Sequence, residues 1–492
     1  MSRNRTILVT IGIMLSLFLA SMESTVVATA MPTIVGQLGG LEHYAWVFSA
    51  YMLASTTTVP LYGKLSDLYG RRKLYVFAMA LFLTGSILCG AADNMAQLIF
   101  ARALQGLGAG GIMPLAFILI GEMFTLEQRA RMQGLFSGVW GVSSIVGPLL
   151  GGFIVDKLSW HWVFYINAIP GLLGAGLVAF AWQDQAQGHA RPVVDYAGAA
   201  LLSASVVALL LGLAESGTST SGVLILASIV LFILLLWVER RAADPILPIP
   251  LFRERLFATS IVHGALAGWA MFGSVSFIPL FVQAVLGTSA TEAGITITPM
   301  LLGWVTASII GTRMLLTVGY RRLAISGTAL LVVGAFLMSR VDVNTSRTML
   351  MVFVSLMGIG MGFSIPSLLI AVQTTVERRQ LGAATSTIQF SRSIGGTLGV
   401  SVMGAALSAR LASNLSASNL DPELVSQLLE PLPGAEAVIN EGARSAVADA
   451  ISLVFVIAFV AAGLALASTF FTPRTELRDK PAERETASIS AD

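Results

Sequence analysis

The chain has 492 residues and a net charge of +2, with 55% hydrophobic and only 11% charged residues and a mean hydropathy of +0.81. A water-soluble fold of that composition would expose far too much apolar surface, so lipid is the solvent for most of the chain. The small, scattered positive charge excludes a nucleic-acid partner, and the lone Cys89 excludes an internal disulfide or a cysteine-built metal site.

Arg3 and Arg5 precede an apolar run from Ile7 to Ala30 that is longer than a signal-peptide core and is interrupted by Glu23, so 7–30 reads as a permanent span. Similar runs, bounded by charged or turn-forming residues, predict spans near 44–62, 74–92, 96–121, 132–155, 161–182, 195–214, 222–238, 256–283, 293–315, 321–339, 348–371, 381–409 and 445–471, making an all-α membrane protein of fourteen transmembrane helices. An N-terminus inside puts 22 of the 29 Lys and Arg residues in cytoplasmic segments, 5 in external ones and 2, Arg102 and Arg392, within spans, so both termini are expected in the cytoplasm. Trp46, Trp160, Trp162, Trp182 and Trp237 fall near span ends, where an indole keeps its N–H wet. Trp140, Trp269 and Trp304 lie deep, either lining a cavity or packing against lipid and neighbouring helices.

An internal repeat runs at an offset of 248 residues: Gly63 matches Gly311, Arg131–Gly134 match Arg379–Gly382, and Gly147–Gly151 match Gly395–Gly399. The repeat divides the chain into a six-helix half (1–183), an inserted pair of spans with linkers (184–255) and a second six-helix half (256–472), followed by a disordered cytoplasmic tail (473–492). Parallel halves place a substrate path along their interface. The segment 410–444 is expected as a long external loop, acidic through Asp421, Glu423, Glu430, Glu436 and Glu441, and as a cap or docking point for a partner.

After span 2 the chain reads Gly63-Lys-Leu-Ser-Asp-Leu-Tyr-Gly-Arg-Arg-Lys73, and a merely basic loop has no need of Asp67, Gly63 and Gly70 at those places. This resembles the signature loop of the major facilitator superfamily. The resemblance implies two six-helix halves and a charge latch, carried by Asp67 and Arg71, that holds the halves together in the outward-open state. The equivalent loop, Gly319-Tyr-Arg-Arg-Leu323, has Leu315 where Asp67 maps, which argues against a second latch.

Span 4 holds Arg102-Ala-Leu-Gln-Gly-Leu-Gly-Ala-Gly-Gly111. Without a preceding strand its glycines are not a dinucleotide loop; they let membrane helices approach closely. An unpaired Arg102 would cost about 2.5–3.5 kcal/mol in a span. Glu23 lies roughly 10 Å and Arg102 about 9 Å below the external surface at 1.5 Å per residue. The resemblance implies that spans 1 and 4 adjoin and that the arginine influences protonation of a neighbouring acid, so the two form either a shared proton site or a structural ion pair. Span 5, with Gly138, Gly141, Gly147, Pro148, Gly151 and Gly152, matches the family's exporter motif and is expected to be a packing and hinge surface.

Gln105, Trp140, Trp269, Trp304, Arg392 and His263 are the candidate cavity residues. Arg392 is expected either to hold carbonyls of a broken helix or to receive an anionic group, with the structural role favoured. His263 is the only intramembrane histidine and a minor candidate for proton relay. No Walker loop, nucleophile elbow or metal-binding helix is present, so the chain is read as no enzyme and its energy source as a gradient. Over nearly its whole length it resembles the fourteen-span drug:proton antiporter family. The resemblance implies a bacterial cytoplasmic-membrane exporter of amphipathic, often cationic, compounds with protons as coupling ion and no cofactor. A lipid or specific metabolite is the alternative cargo, and a membrane sensor binding a partner through 410–444 is the alternative class.

Overall fold

The computed structural model describes residues 2–39, 43–184, 195–214, 219–242, 245–247, 249–288, 290–418 and 441–474. Every regular element among them is helical. In chain order they are α1 (Arg3–Leu38), α2 (Tyr44–Tyr69), α3 (Arg71–Gly90), α4 (Met95–Met123), α5 (Leu126–Lys157), the short α6 (Trp162–Tyr165), α7 (Ala168–Ala181), α8 (Tyr196–Ala214), α9 (Ser219–Glu239), α10 (Arg255–Ala284), α11 (Ala290–Val318), α12 (Tyr320–Met338), α13 (Arg347–Thr375), α14 (Leu381–Ser418) and α15 (Glu441–Phe470). Each expected span falls on one helix, with α6 and α7 sharing the sixth. Among the described residues 12 segments are long and apolar enough to cross a membrane. The set omits α2, diluted by Thr56, Thr57 and Thr58, and α5, which contains positions whose side chains lie outside the described residues.

Packing repeats between the two ends of the chain. The pairs α2–α4, α3–α4, α1–α5 and α1–α7 recur as α11–α13, α12–α13, α10–α14 and α10–α15. Without a hydrophobic drive between helices in lipid, close approach of backbones holds such pairs. Gly106 and Gly110 bring α4 against α2, where a Cβ would meet the carbonyls of Tyr51 and Ser55. Gly358 and Gly362 do the same for α13, against the carbonyls of Met300 and Trp304 in α11. The two sets meet at α2–α14 and α5–α11. The α8–α9 hairpin lies against the first of these seams: Leu202 and Val206 of α8 share a cluster with Leu61 of α2 and Phe390 and Ile394 of α14.

Two expectations are corrected. The segment from Gly63 is not all loop, because α2 runs on to Tyr69 and only Gly70, at φ +94°, breaks the chain before α3. A left-handed residue is needed there, and glycine alone takes it freely. Asp184 caps the new helix by accepting the N–H bonds of Arg71 and Arg72 at 2.9 and 3.2 Å. At the other end of the bundle, α14 extends to Ser418 and α15 starts at Glu441, which shortens the expected loop at both ends. Arg410 and Asn414 of α14 both donate to Asp449 of α15, at 2.8 and 3.0 Å. Asp421, Glu423, Glu430 and Glu436, and the tail beyond 474, lie outside the described residues.

Candidate functional site

Glu23 and Arg102 meet. Arg102 Nη1 donates to Glu23 Oε1 at 2.6 Å and lies 2.7 Å from Gln105 Oε1; Nε donates to the Val47 carbonyl at 3.2 Å, and the guanidinium sits 4.2 Å from the centre of the Tyr51 ring. Both side chains are 1% exposed. The second carboxylate oxygen accepts from Asn167 Nδ2 at 2.8 Å, and Asn167 also bonds Ser86 at 3.0 Å. Asn167 stands at the break between α6 and α7, which aims a side chain inward from an otherwise apolar span. A carboxylate this deep is tolerable only when paired and hydrogen-bonded; here α4 and the α6–α7 break supply its partners, and α2 and α3 hold those partners in turn. Sequence reading found the pair and missed Asn167, Ser86 and Tyr51. An asparagine within an apolar run was the one available signal.

The basic end of the bundle, where most Lys and Arg lie, is closed by a second polar cluster. Asp67 accepts backbone N–H bonds from Gly382 and Ala383, at 3.1 and 2.9 Å, and pairs with Arg71 at 2.5 Å. Arg71 also bonds Ser66 and lies 3.6 Å from Glu122, which is 3.4 Å from Arg378. Gly63 and Gly382 face each other across the α2–α14 contact, where a Cβ on either would overlap the other's carbonyl. Arg129 and Gln373 add bonds between the sets, Arg129 to the Gln373 carbonyl and Gln373 to the Phe117 carbonyl. At the related α11–α12 junction Gly319 repeats the positive φ, but Leu315 is buried in an apolar cluster, so no acid reaches across.

Between the sets, near mid-depth, lies a partly open cavity. Phe117, Gln133, Phe136 and Trp140 line it from one side and Phe272, Trp304 and Arg392 from the other. Trp140, Trp304 and Arg392 therefore reach the cavity as candidates. Three others do not. Gln105 is buried in the Arg102 network, His263 is buried against Thr328 at 2.9 Å, and Trp269 packs in the core of the C-terminal set beside Gly399. The favoured structural role of Arg392 is also overturned: among the described residues its guanidinium has no carbonyl or carboxylate partner.

The glycines of α5 divide by face. A Cβ on Gly147 or Gly151 would strike Thr25 or Thr29 of α1, and one on Gly141 would press Val305 of α11. A Cβ on Gly138 or Gly152 would meet no described atom within 4 Å, so neither marks a close helix contact among the described residues. The Pro148 side chain lies outside the described residues.

A family model described as Major Facilitator Superfamily matches residues 13–400. The chain is 41% identical to Multidrug transporter protein MdtP of Bacillus subtilis over 430 residues, covering 85% of this chain and 78% of that protein. It is 38% identical to Multidrug resistance protein 3 of the same organism over 452 residues, covering 90% and 88%. Among solved structures, the crystal structure of the human organic anion transporter MFSD10 superposes with a TM-score of 0.63, covering 94% of this chain and 100% of that one. Its sequence identity of 14% makes this a likeness of fold alone.

Proposed function

Because the chain belongs to the Major Facilitator Superfamily, and so is a multi-pass membrane transporter and not an enzyme, we propose that it expels amphipathic compounds from the bacterial cytoplasm or inner leaflet in exchange for protons. Its relatives' names support export of drugs. The excess of Lys and Arg at one end of the bundle supports a cytoplasmic assignment for that end and for both termini. On that assignment the closed Asp67–Gly382 contact corresponds to an outward-facing resting state.

One observation carries the coupling: the Glu23–Arg102 pair at 2.6 Å, shut away from water within the N-terminal set. Glu23 does not line the cavity, so proton and substrate communicate through the helices they share. Glu23 and Leu17 lie on α1, and Arg102, Met113 and Phe117 lie on α4. Protonation of Glu23 removes the charge that Arg102 is matched to and favours rearrangement of α1 against α4, which alters the cavity wall. Asp67 and Arg71 form the cytoplasmic latch that this rearrangement must release. Uptake of a fluorescent amphipathic dye into inside-out proteoliposomes under an imposed pH gradient tests the reading; gradient-independent flux refutes it.

One feature favours lipid as the alternative cargo: an apolar cleft between α1, α5 and α6–α7, rimmed by the exposed Leu158, Trp162 and Ile169. Transfer of a labelled phospholipid between leaflets in the same vesicles distinguishes that cargo from the dye.

A further inference from the structure

We infer that the central cavity takes organic anions, amphipathic molecules whose carboxylate or sulfonate is received by Arg392. The inference rests on the proposal that this cavity is the transport path, and it replaces the cationic cargo expected from sequence. The deep arginines differ in one respect. Arg102 is matched by Glu23, Gln105 and the Val47 carbonyl, and Arg71 by Asp67, Ser66 and Glu122. Arg392 has no such partner among the described residues, although it stands eleven residues into α14. At 1.5 Å per residue that is about 16 Å from the basic end, near the middle of a hydrocarbon layer about 30 Å thick. A cation held at that depth without a counter-charge, on a wall that faces open space, is matched by something outside the chain.

The rest of the lining agrees. Among the described residues no Asp or Glu lines the cavity, so a cationic compound would find no counter-charge from them and would meet the field of Arg392. The side-chain amide of Gln133, on the opposite wall, likewise has no hydrogen-bond partner among the described residues and offers a second donor to an oxyanion. Trp140, Trp304 and Phe136 supply flat apolar surface for the body of the molecule. Guanidinium binds a planar carboxylate through two parallel N–H bonds, which gives this arrangement its selectivity.

Three probes with one apolar body separate the possibilities: pyrenebutyrate, its methyl ester, and pyrenebutyltrimethylammonium. Binding to the full chain in phosphatidylcholine nanodiscs is read by tryptophan-to-pyrene energy transfer, corrected with empty discs. The expected result is an affinity for the anion about tenfold or more above that for the ester or the cation. Arg392→Gln abolishes that preference and leaves ester binding unchanged, and Arg392→Lys keeps much of it. Equal binding of all three probes, or a uniform loss in Arg392→Gln at matched folded protein, overturns the inference. Displacement of the anion by phosphatidylglycerol at low mole fraction overturns it in favour of a lipid headgroup. Binding needs no gradient, so an anion preference without pH-driven flux refutes the coupling proposal and leaves this inference standing.

Discussion

Gly63 of α2 and Gly382 of α14 pack face to face between the two helix sets at the basic end, each lying against the other's carbonyl. Neither position has room for a side chain unless the seam parts. Gly63→Val is therefore expected to open this end. Spin labels on the exposed Tyr69 and Glu377 should move apart relative to wild type, and an unchanged distance distribution would show that the seam yields without opening.

Asp67→Asn tests the charge at the same place without adding bulk. The amide keeps one oxygen for the Gly382 and Ala383 N–H groups but loses the ion pair with Arg71. Hydrogen bonds to a charged group are worth about 1.5–3 kcal/mol, so the closed state should lose roughly ten- to a hundredfold in population. The same labelled pair reports the shift, and wild-type populations with wild-type turnover would exclude a latch.

Glu23→Gln keeps the shape of the side chain and removes its exchangeable proton. Dye efflux driven by a pH gradient should fall to background, while the protein still inserts and elutes as a single species. Normal pH-driven transport in this variant would end the assignment of Glu23 as the coupling group.

Arg102→Gln leaves the Glu23 carboxylate buried without its cation, a change that typically costs about 3–5 kcal/mol. Adding Glu23→Gln removes the stranded charge. The double variant should recover most of the lost thermal stability in nanodiscs and none of the transport. If the double variant melts as low as Arg102→Gln, the two residues contribute independently and the pair is incidental.

Asn167→Leu withdraws one donor from the second carboxylate oxygen of Glu23, leaving it unsatisfied at a cost of about 1–3 kcal/mol. Proton-driven efflux should drop while substrate exchange without a gradient persists. Equal loss of both activities would point to damage in the packing of α7 instead.

How much of this was legible in the sequence follows from what a helix encodes. Apolar runs fix where helices lie, and a constant rise per residue turns an index into a depth, so Glu23 and Arg102 could be matched across a separation of 79 residues. The offset of 248 likewise foreshadowed the paired packing of the two sets. Rotation about each helix axis is a different quantity, set by neighbours that sequence does not name. Trp304 and Trp269 are both deep tryptophans, yet one faces the cavity and the other the core of its own set. His263 and Gln105 failed as cavity residues for the same reason. Asn167 escaped because a neutral amide in a span usually bonds locally, and its reach to Glu23 depends on the break between α6 and α7.

The α8–α9 hairpin touches α2 and α14 but lies away from the α5–α11 seam, which makes the molecule mechanically lopsided. One flank carries two extra helices, while the other is closed by α5 against α11, with Ser137 bonded to Ser308 at 2.8 Å and Gly141 against Val305. The α5–α11 flank, which carries no such strap, is expected to part more widely when the sets rock, and spin-label pairs across each flank would read the difference. The lipid around that flank, by its thickness and packing, is then expected to affect the cycle more than the lipid around α8 and α9.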